Sequence, residues 1–308
     1  MTTTSTPPAG VPAAAPGSSV SGWLLGLGAF LIWGFFPIYF KSVDTVPPLE
    51  ILAHRVIWSF VLLALIVSFQ GGWGRVRRTI ANWHTVLTLF ATSVIIAVSW
   101  LTFIWAVNNG HILDTSLGYY INPLITVLFG MIFFSERLTG LQWTAMGLAA
   151  AGVLLQLIQI GTLPLIALVL AVTFALYGML RKKVAVNSII GLLVETGLLL
   201  PAALALLFFA DTPTSSLVNN PLSLNLLLMA GGVVTTVPLL CFTASANRLP
   251  LSAVGFLQYI APSTAFLLAI FCYNESFSPT RGITFLFIWV ALVFFSIDAL
   301  RRMGKKLN

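Results

Sequence analysis

Charged side chains are scarce in this chain. Only 8 Asp and Glu and 15 Lys and Arg occur among 308 residues, 7% in all, while 58% are hydrophobic. A soluble domain carries roughly 25% charged residues, so a soluble fold is excluded. Cysteine is nearly absent as well. Cys241 and Cys272 lie in apolar runs without the spacing of metal ligands, and they read as buried, inert thiols. No Walker loop, HExxH pair, GxSxG elbow or DDxxD carboxylate pair occurs. Nucleotide-driven pumping and the common intramembrane hydrolase chemistries therefore lose support, and no cofactor or metal is expected. The net charge of +7 does not argue for a nucleic-acid partner, because the basic residues fall in short clusters between apolar spans.

What fills the chain instead is a series of apolar runs. About 20 apolar residues cross roughly 30 Å of hydrocarbon. By that ruler ten spans are expected, at 21–41, 49–70, 84–107, 112–134, 139–158, 162–180, 187–209, 222–246, 250–273 and 280–300. The fold class is an all-α polytopic membrane protein whose principal partner is the lipid bilayer. Residues 1–20 are rich in Thr, Pro, Ala, Gly and Ser with no charged side chain, and are expected to be a disordered tail. That stretch lacks the basic region of a signal peptide, so the first apolar run is expected to stay as a helix. The link 71–83 carries Arg75, Arg77 and Arg78 among apolar residues and is expected to lie along the membrane surface.

Lysine and arginine set the orientation. With a cytoplasmic N-terminus, 12 of the 15 basic residues fall in inside segments, Lys41 and Arg281 fall outside, and Arg55 falls within a span. The positive-inside rule therefore puts both termini in the cytoplasm of a bacterial inner membrane, with 303–308 as a basic cytoplasmic tail.

An internal duplication organises the spans. At an ungapped offset of 139 residues Asn108 falls on Asn247, Tyr120 on Tyr259, Pro123 on Pro262 and Glu136 on Glu275. Residues 21–160 and 161–302 then form two units of five helices. Five is odd, so the second unit enters the membrane inverted, which puts Glu136 at a cytoplasmic helix end and Glu275 at a periplasmic one. The first helices echo each other too, with Phe30, Trp33 and Gly34 against Phe174, Tyr177 and Gly178. Inverted repeats around a central cavity are a device of secondary transporters.

Ionisable groups inside spans cost several kcal/mol and need a reason. Glu50, His54 and Arg55 cluster near the outer end of the second span. They read either as a charge-compensated cluster orienting the helix or as a contact for substrate or proton, strongest for His54. Glu195 lies about 12 Å into the seventh span at 1.5 Å per residue, with no basic residue within a helical turn. It is read either as a structural hydrogen-bonding group or as the carrier of a coupling proton. An offset of 140 sets it opposite Arg55, which suggests a pair that forms in one state and breaks in the other.

Candidate cavity residues combine aromatic bodies with polar handles: Trp33, Tyr39, Trp100, Trp105, Asn108, Tyr119, Asn122, Tyr177, Gln258 and Tyr259. Helix packing is the alternative for each one. Together they suit an amphipathic or aromatic small molecule. Pro123 and Pro262 are candidate hinges, since proline frees the carbonyl four residues back and kinks the axis. Gly147 with Ala151, and Gly231 or Gly232, read as close helix contacts.

The runs LEILAHRVIWS (49–59), SLGYYINPL (116–124), SERL (135–138), RKKV (181–184), ETGLLLP (195–201), TTVPLL (235–240) and GFLQYIAP (255–262) resemble RarD-type proteins of the EamA branch of the drug/metabolite transporter superfamily. The resemblance covers roughly residues 20–302. It implies ten helices in two inverted five-helix repeats around a cavity, with both termini cytoplasmic. It also implies gradient-driven export, since related members export amino acids and other small metabolites. The function expected is secondary active export of a small organic metabolite or drug-like solute by alternating access. An intramembrane enzyme acting on a lipid or prenyl substrate is the alternative, and it would need a convergent catalytic set that the residues do not supply.

Overall fold

The computed structural model of the chain describes residues 18–108, 112–160, 164–210, 212–215, 217–273 and 279–307. Its regular elements are all helices, the arrangement that satisfies backbone hydrogen bonds within one segment inside a bilayer. They are α1 (Ser18–Gly34), α2 (Phe36–Ser42), α3 (Pro48–Phe69), α4 (Trp73–Ala81), α5 (Trp83–Asn108), α6 (Ile112–Phe134) and α7 (Gly140–Ile160) in the first half. The second half holds α8 (Leu165–Val184), α9 (Ser188–Phe209), α10 (Leu222–Ala246), α11 (Leu251–Leu257), α12 (Ile260–Tyr273) and α13 (Pro279–Leu307).

Ten helical stretches are long and apolar enough to cross a membrane, and they fall on the ten expected spans. Large apolar side chains such as Leu24, Leu65, Ile132, Phe208 and Leu222 stand exposed on the outside, where lipid would cover them. Trp83 and Trp143, near span ends, are exposed likewise. The link after α3 folds as α4, whose Arg75, Arg77 and Arg78 point outward while Val76 is buried, the pattern of a helix lying on an interface.

Two spans are interrupted. The first is split at Phe35, between α1 and α2, and the ninth at Gln258 and Tyr259, between α11 and α12. Pro262 removes the donor that would have bonded the Gln258 carbonyl, which instead accepts from the Ala261 N–H at 3.3 Å. The corresponding fourth span, α6, stays continuous through Pro123. The ninth span is therefore two helices, not the single expected one, and the sixth span, α8, is unbroken where the first is not.

Helix neighbours come in matched sets. α3 packs on α9, α7 on α13, and α6 on α11. α6 packs on α8 as α12 packs on α1, α5 packs on α9 as α10 packs on α3, and α5 packs on α8 as α10 packs on α1. Exchanging each helix of the first five spans for its counterpart in the second five reproduces the same pairs.

Two expectations need correcting. A Cβ on Gly147 would meet nothing within 4 Å, so Gly147 is no contact point. The tight approach on α7 is at Gly152, where a Cβ would lie 3.1 Å from Phe287. Gly232 does sit at a close approach, since a Cβ there would lie 2.5 Å from the Trp58 carbonyl carbon. Cys272 is exposed and Cys241 half-buried, so the thiols are not both buried, because apolar surroundings here include the outer, lipid-directed face.

Candidate functional site

A cavity of about 620 Å³ occupies one half of the helix bundle. Its walls include Phe30 and Trp33 late in α1, Ser99 and Trp100 late in α5, Tyr119 and Asn122 early in α6, and Phe174 in the middle of α8. Phe40, Asp44 and Val46, of α2 and the following link, also line it. Arg181, Lys182 and Arg248 are not among the lining residues.

Arg55 is the basic residue in that wall. It is 7% exposed, and its Nε donates to Thr235 Oγ1 at 2.7 Å. Its guanidinium carbon lies 5.0 Å from the Trp100 ring centre and 5.6 Å from that of Phe40. The neighbouring acid, Glu50, is taken up elsewhere. It accepts hydrogen bonds from Thr212 and, at 2.8 Å, from Thr214, and so ties the α9–α10 link to the start of α3. His54 is buried beside them, and its Nε2 has no hydrogen-bond partner among the described residues.

The polar groups of Asn122 and Gln258 join across the two halves of the chain. Gln258 Nε2 donates to Thr126 Oγ1 at 3.2 Å, and that hydroxyl donates to Asn122 Oδ1 at 3.2 Å. Beneath them, the residues that echo each other in the first helices of the two halves converge. Trp33 meets Phe174 edge-on at 5.6 Å, and both pack on Phe242, at 5.7 and 5.2 Å, as does Phe30 at 6.0 Å.

Behind this aromatic floor lies Glu195, 2% exposed. Its Oε1 accepts from Thr92 at 2.5 Å and lies 3.7 Å from Nε of Arg181, while its Oε2 accepts from Tyr177 at 3.4 Å. Arg181, 1% exposed, is its partner, a residue that the sequence counts only among the basic residues of the inside segments. A second cavity of about 10 Å³, room for roughly one water, touches Glu195, Tyr177, Trp100 and Thr235. Trp100 and Thr235 thus separate the Glu195 network from Arg55 and the large cavity.

Away from the cavity, Glu136 and Lys182 form a clasp between the halves. α6 ends at Ser135, whose φ of 53° turns the chain left-handed and brings Glu136 back onto the helix. Glu136 then accepts from the backbone N–H of Leu251 at 2.5 Å and of Ser252 at 2.8 Å, at the start of α11. Lys182 lies 3.9 Å from the same carboxylate and donates to the carbonyls of Ala246, at 3.1 Å, and Leu249. A glycine is needed at 130, because a Cβ there would stand 2.6 Å from Glu136 Oε2.

Of the ten candidate cavity residues, Trp33, Trp100, Tyr119, Asn122 and Gln258 line the large cavity, and Tyr177 lines the small one. Tyr39 donates to the Leu227 carbonyl at 3.2 Å and Tyr259 to the Tyr120 carbonyl at 3.2 Å, both outside the cavity wall. Trp105 is exposed on the outside. The Asn108 side chain and Glu275 lie outside the described residues. Pro262 is in the cavity wall, and Pro123 packs its carbonyl against Gly255. Glu195 pairs with Arg181 here, not with Arg55. Among the described residues no group of three His, Cys, Asp or Glu side chains could hold a metal ion.

Comparison with known proteins gives a consistent result. Residues 20–158 match the model of the EamA-like transporter family. Protein RarD of Escherichia coli K12 is 52% identical over 288 residues, covering 92% of this chain and 97% of its own. An uncharacterized transporter of Vibrio cholerae is 51% identical over 281 residues, covering 91% and 93%. The chloramphenicol-sensitive protein RarD of Pseudomonas aeruginosa is 32% identical over 292 residues, covering 94% and 97%. A protein crystal structure superposes with a TM-score of 0.71 at 20% identity, covering 91% of this chain and 98% of that one, a likeness of fold.

Proposed function

The chain belongs to the RarD-type branch of the EamA-like transporter family, and from that premise we propose that it is a secondary active exporter of a small organic metabolite or drug-like solute, working by alternating access across the bacterial inner membrane. Family membership makes it a multi-pass membrane transporter of the drug/metabolite superfamily. The observation that carries the finer reading is the cavity of about 620 Å³ together with the contact between the two halves at Glu136 and Lys182, whose residues do not line it; we read the first as a solute site and the second as the closed gate. A solute site with access from one face at a time is what alternating access requires.

Other features support the same reading. The matched helix neighbours fit two inverted units, 21–160 and 161–302, related by exchange of their spans. The interrupted first and ninth spans, against their continuous counterparts, fit two units held in unequal conformations. With both termini cytoplasmic by the positive-inside rule, the clasp lies on the cytoplasmic side and the cavity faces outward. Glu195 is the proposed carrier of a coupling proton, held between Arg181, Thr92 and Tyr177 below the cavity.

Purified protein in proteoliposomes tests the proposal, with flux of labelled solutes followed under an imposed pH gradient. Gradient-dependent solute flux is the expected result. Turnover of lipid or prenyl substrates without solute flux would replace the transporter with the intramembrane enzyme.

A further inference from the structure

We propose that Arg55 anchors a monoanionic solute, a carboxylate carried on an apolar or aromatic body; the proposal rests on reading the large cavity as the transport site.

A buried guanidinium is costly unless an anion or several acceptors compensate it. Arg181 meets Glu195 and Lys182 meets Glu136, but no carboxylate among the described residues lies within ion-pair distance of Arg55. Glu50, which stands nearest in sequence, is occupied by Thr212 and Thr214. Five residues along a helix also turn the side chain by about 140°, onto another face.

The surroundings hold Arg55 ready without neutralising it. Thr235 takes Nε, and the rings of Trp100 and Phe40 flank the guanidinium. Arg55 itself lines the cavity, and its Nη groups have no hydrogen bond to another described residue. Two parallel N–H groups at that end match the two oxygens of a carboxylate.

The rest of the wall selects the body. Phe30, Trp33, Phe103 and Phe174 line the cavity, and its volume suits an organic molecule rather than a bare ion. The acid in the wall, Asp44, is exposed. An ammonium carried to the depth of Arg55 would therefore meet no carboxylate there among the described residues. A carboxylate without an ammonium is favoured over an amine or a zwitterion.

The test compares four probes on the purified full-length protein in detergent: 3-phenylpropionate, its neutral amide, 3-phenylpropylamine and phenylalanine. Affinities are read by ligand-induced thermal stabilisation. 3-Phenylpropionate is expected to bind at least about tenfold tighter than the amide or the amine, the range of one charge-assisted contact. It should also bind tighter than phenylalanine. Arg55→Gln should abolish the preference, and Arg55→Lys, which keeps the charge but not the fork, should retain part of it. Equal binding of the amide or amine, tighter binding of phenylalanine, or no binding of the carboxylate overturns the proposal on the wild-type protein alone, whether or not the variants fold. Counterflow in proteoliposomes separates this from the function itself. A carboxylate that binds through Arg55 but is not exchanged overturns transport and leaves the anion site. Flux of neutral solutes without carboxylate preference does the reverse.

Discussion

The hydroxyl of Tyr259 donates to the backbone carbonyl of Tyr120 at 3.2 Å, and the two residues stand 139 positions apart, the offset of the internal repeat. The contact is one-sided: Tyr259 is the donor, and it sits at the break between α11 and α12, while Tyr120 lies in a continuous α6. In the proposed alternating-access reading, a contact that singles out one of two aligned residues favours one of the two conformations.

Tyr259→Phe removes that donor. One neutral hydrogen bond contributes about 0.5–1.5 kcal/mol net, so the ratio of outward- to inward-facing molecules should fall roughly 2- to 10-fold. Labelling of single cysteines introduced at Ser99 and Ser252, in a background without Cys241 and Cys272, reads both sides. An unchanged labelling ratio counts against any role for this contact in setting the state.

The clasp makes a second prediction. Glu136 gathers two backbone N–H groups and Lys182, and loss of a charge-assisted contact of this kind costs about 1–3 kcal/mol. Glu136→Gln should raise cysteine labelling at the α10–α11 junction and speed exchange between states. Gly130→Ala should act in the same direction, because its methyl group displaces the carboxylate. If both variants label like the parent, the clasp does not hold the closed end.

The spans were legible because hydropathy is a local property of the chain. The ten apolar runs needed no knowledge of neighbours, and they appear where expected. What could not be read was pairing. Arg181 looks like one of three basic residues at a helix end, and only the packing of the folded chain brings it to Glu195. The offset of 140 put Arg55 opposite Glu195, yet the wall formed by Trp100 and Thr235 stands between their cavities. Proline marked both candidate hinges, but of the fourth and ninth spans only the ninth is interrupted. Two copies of one sequence pattern can adopt unequal conformations, and local residues do not say which copy breaks.

Orientation in the membrane is predicted separately. Reporter fusions after Asn308 and after Asn187 should report a cytoplasmic location, and fusions within 212–220 a periplasmic one. A periplasmic C-terminus would contradict an even number of spans with a cytoplasmic N-terminus, and the inverted repeat with it.

The last prediction concerns Arg181 and Glu195, buried partners 3.7 Å apart. Neutralising one member leaves the other charged and uncompensated, a loss of roughly 3–5 kcal/mol for a buried pair. Arg181→Gln and Glu195→Gln should each lower thermal stability strongly. The double variant should recover much of the loss, since it leaves no charge behind, and a double-mutant cycle measures the coupling. That double variant also isolates the proton. It should fold and bind solute yet respond no longer to an imposed pH gradient, because the carboxylate that would carry the proton is gone. Gly191 stands against the guanidinium, where a Cβ would lie 2.1 Å from Nη1, so Gly191→Ala should disturb the pair without removing either charge. If the double variant transports with an unaltered gradient response, Glu195 is a structural partner of Arg181 and the proton travels by another group, with His54 the next buried candidate to replace.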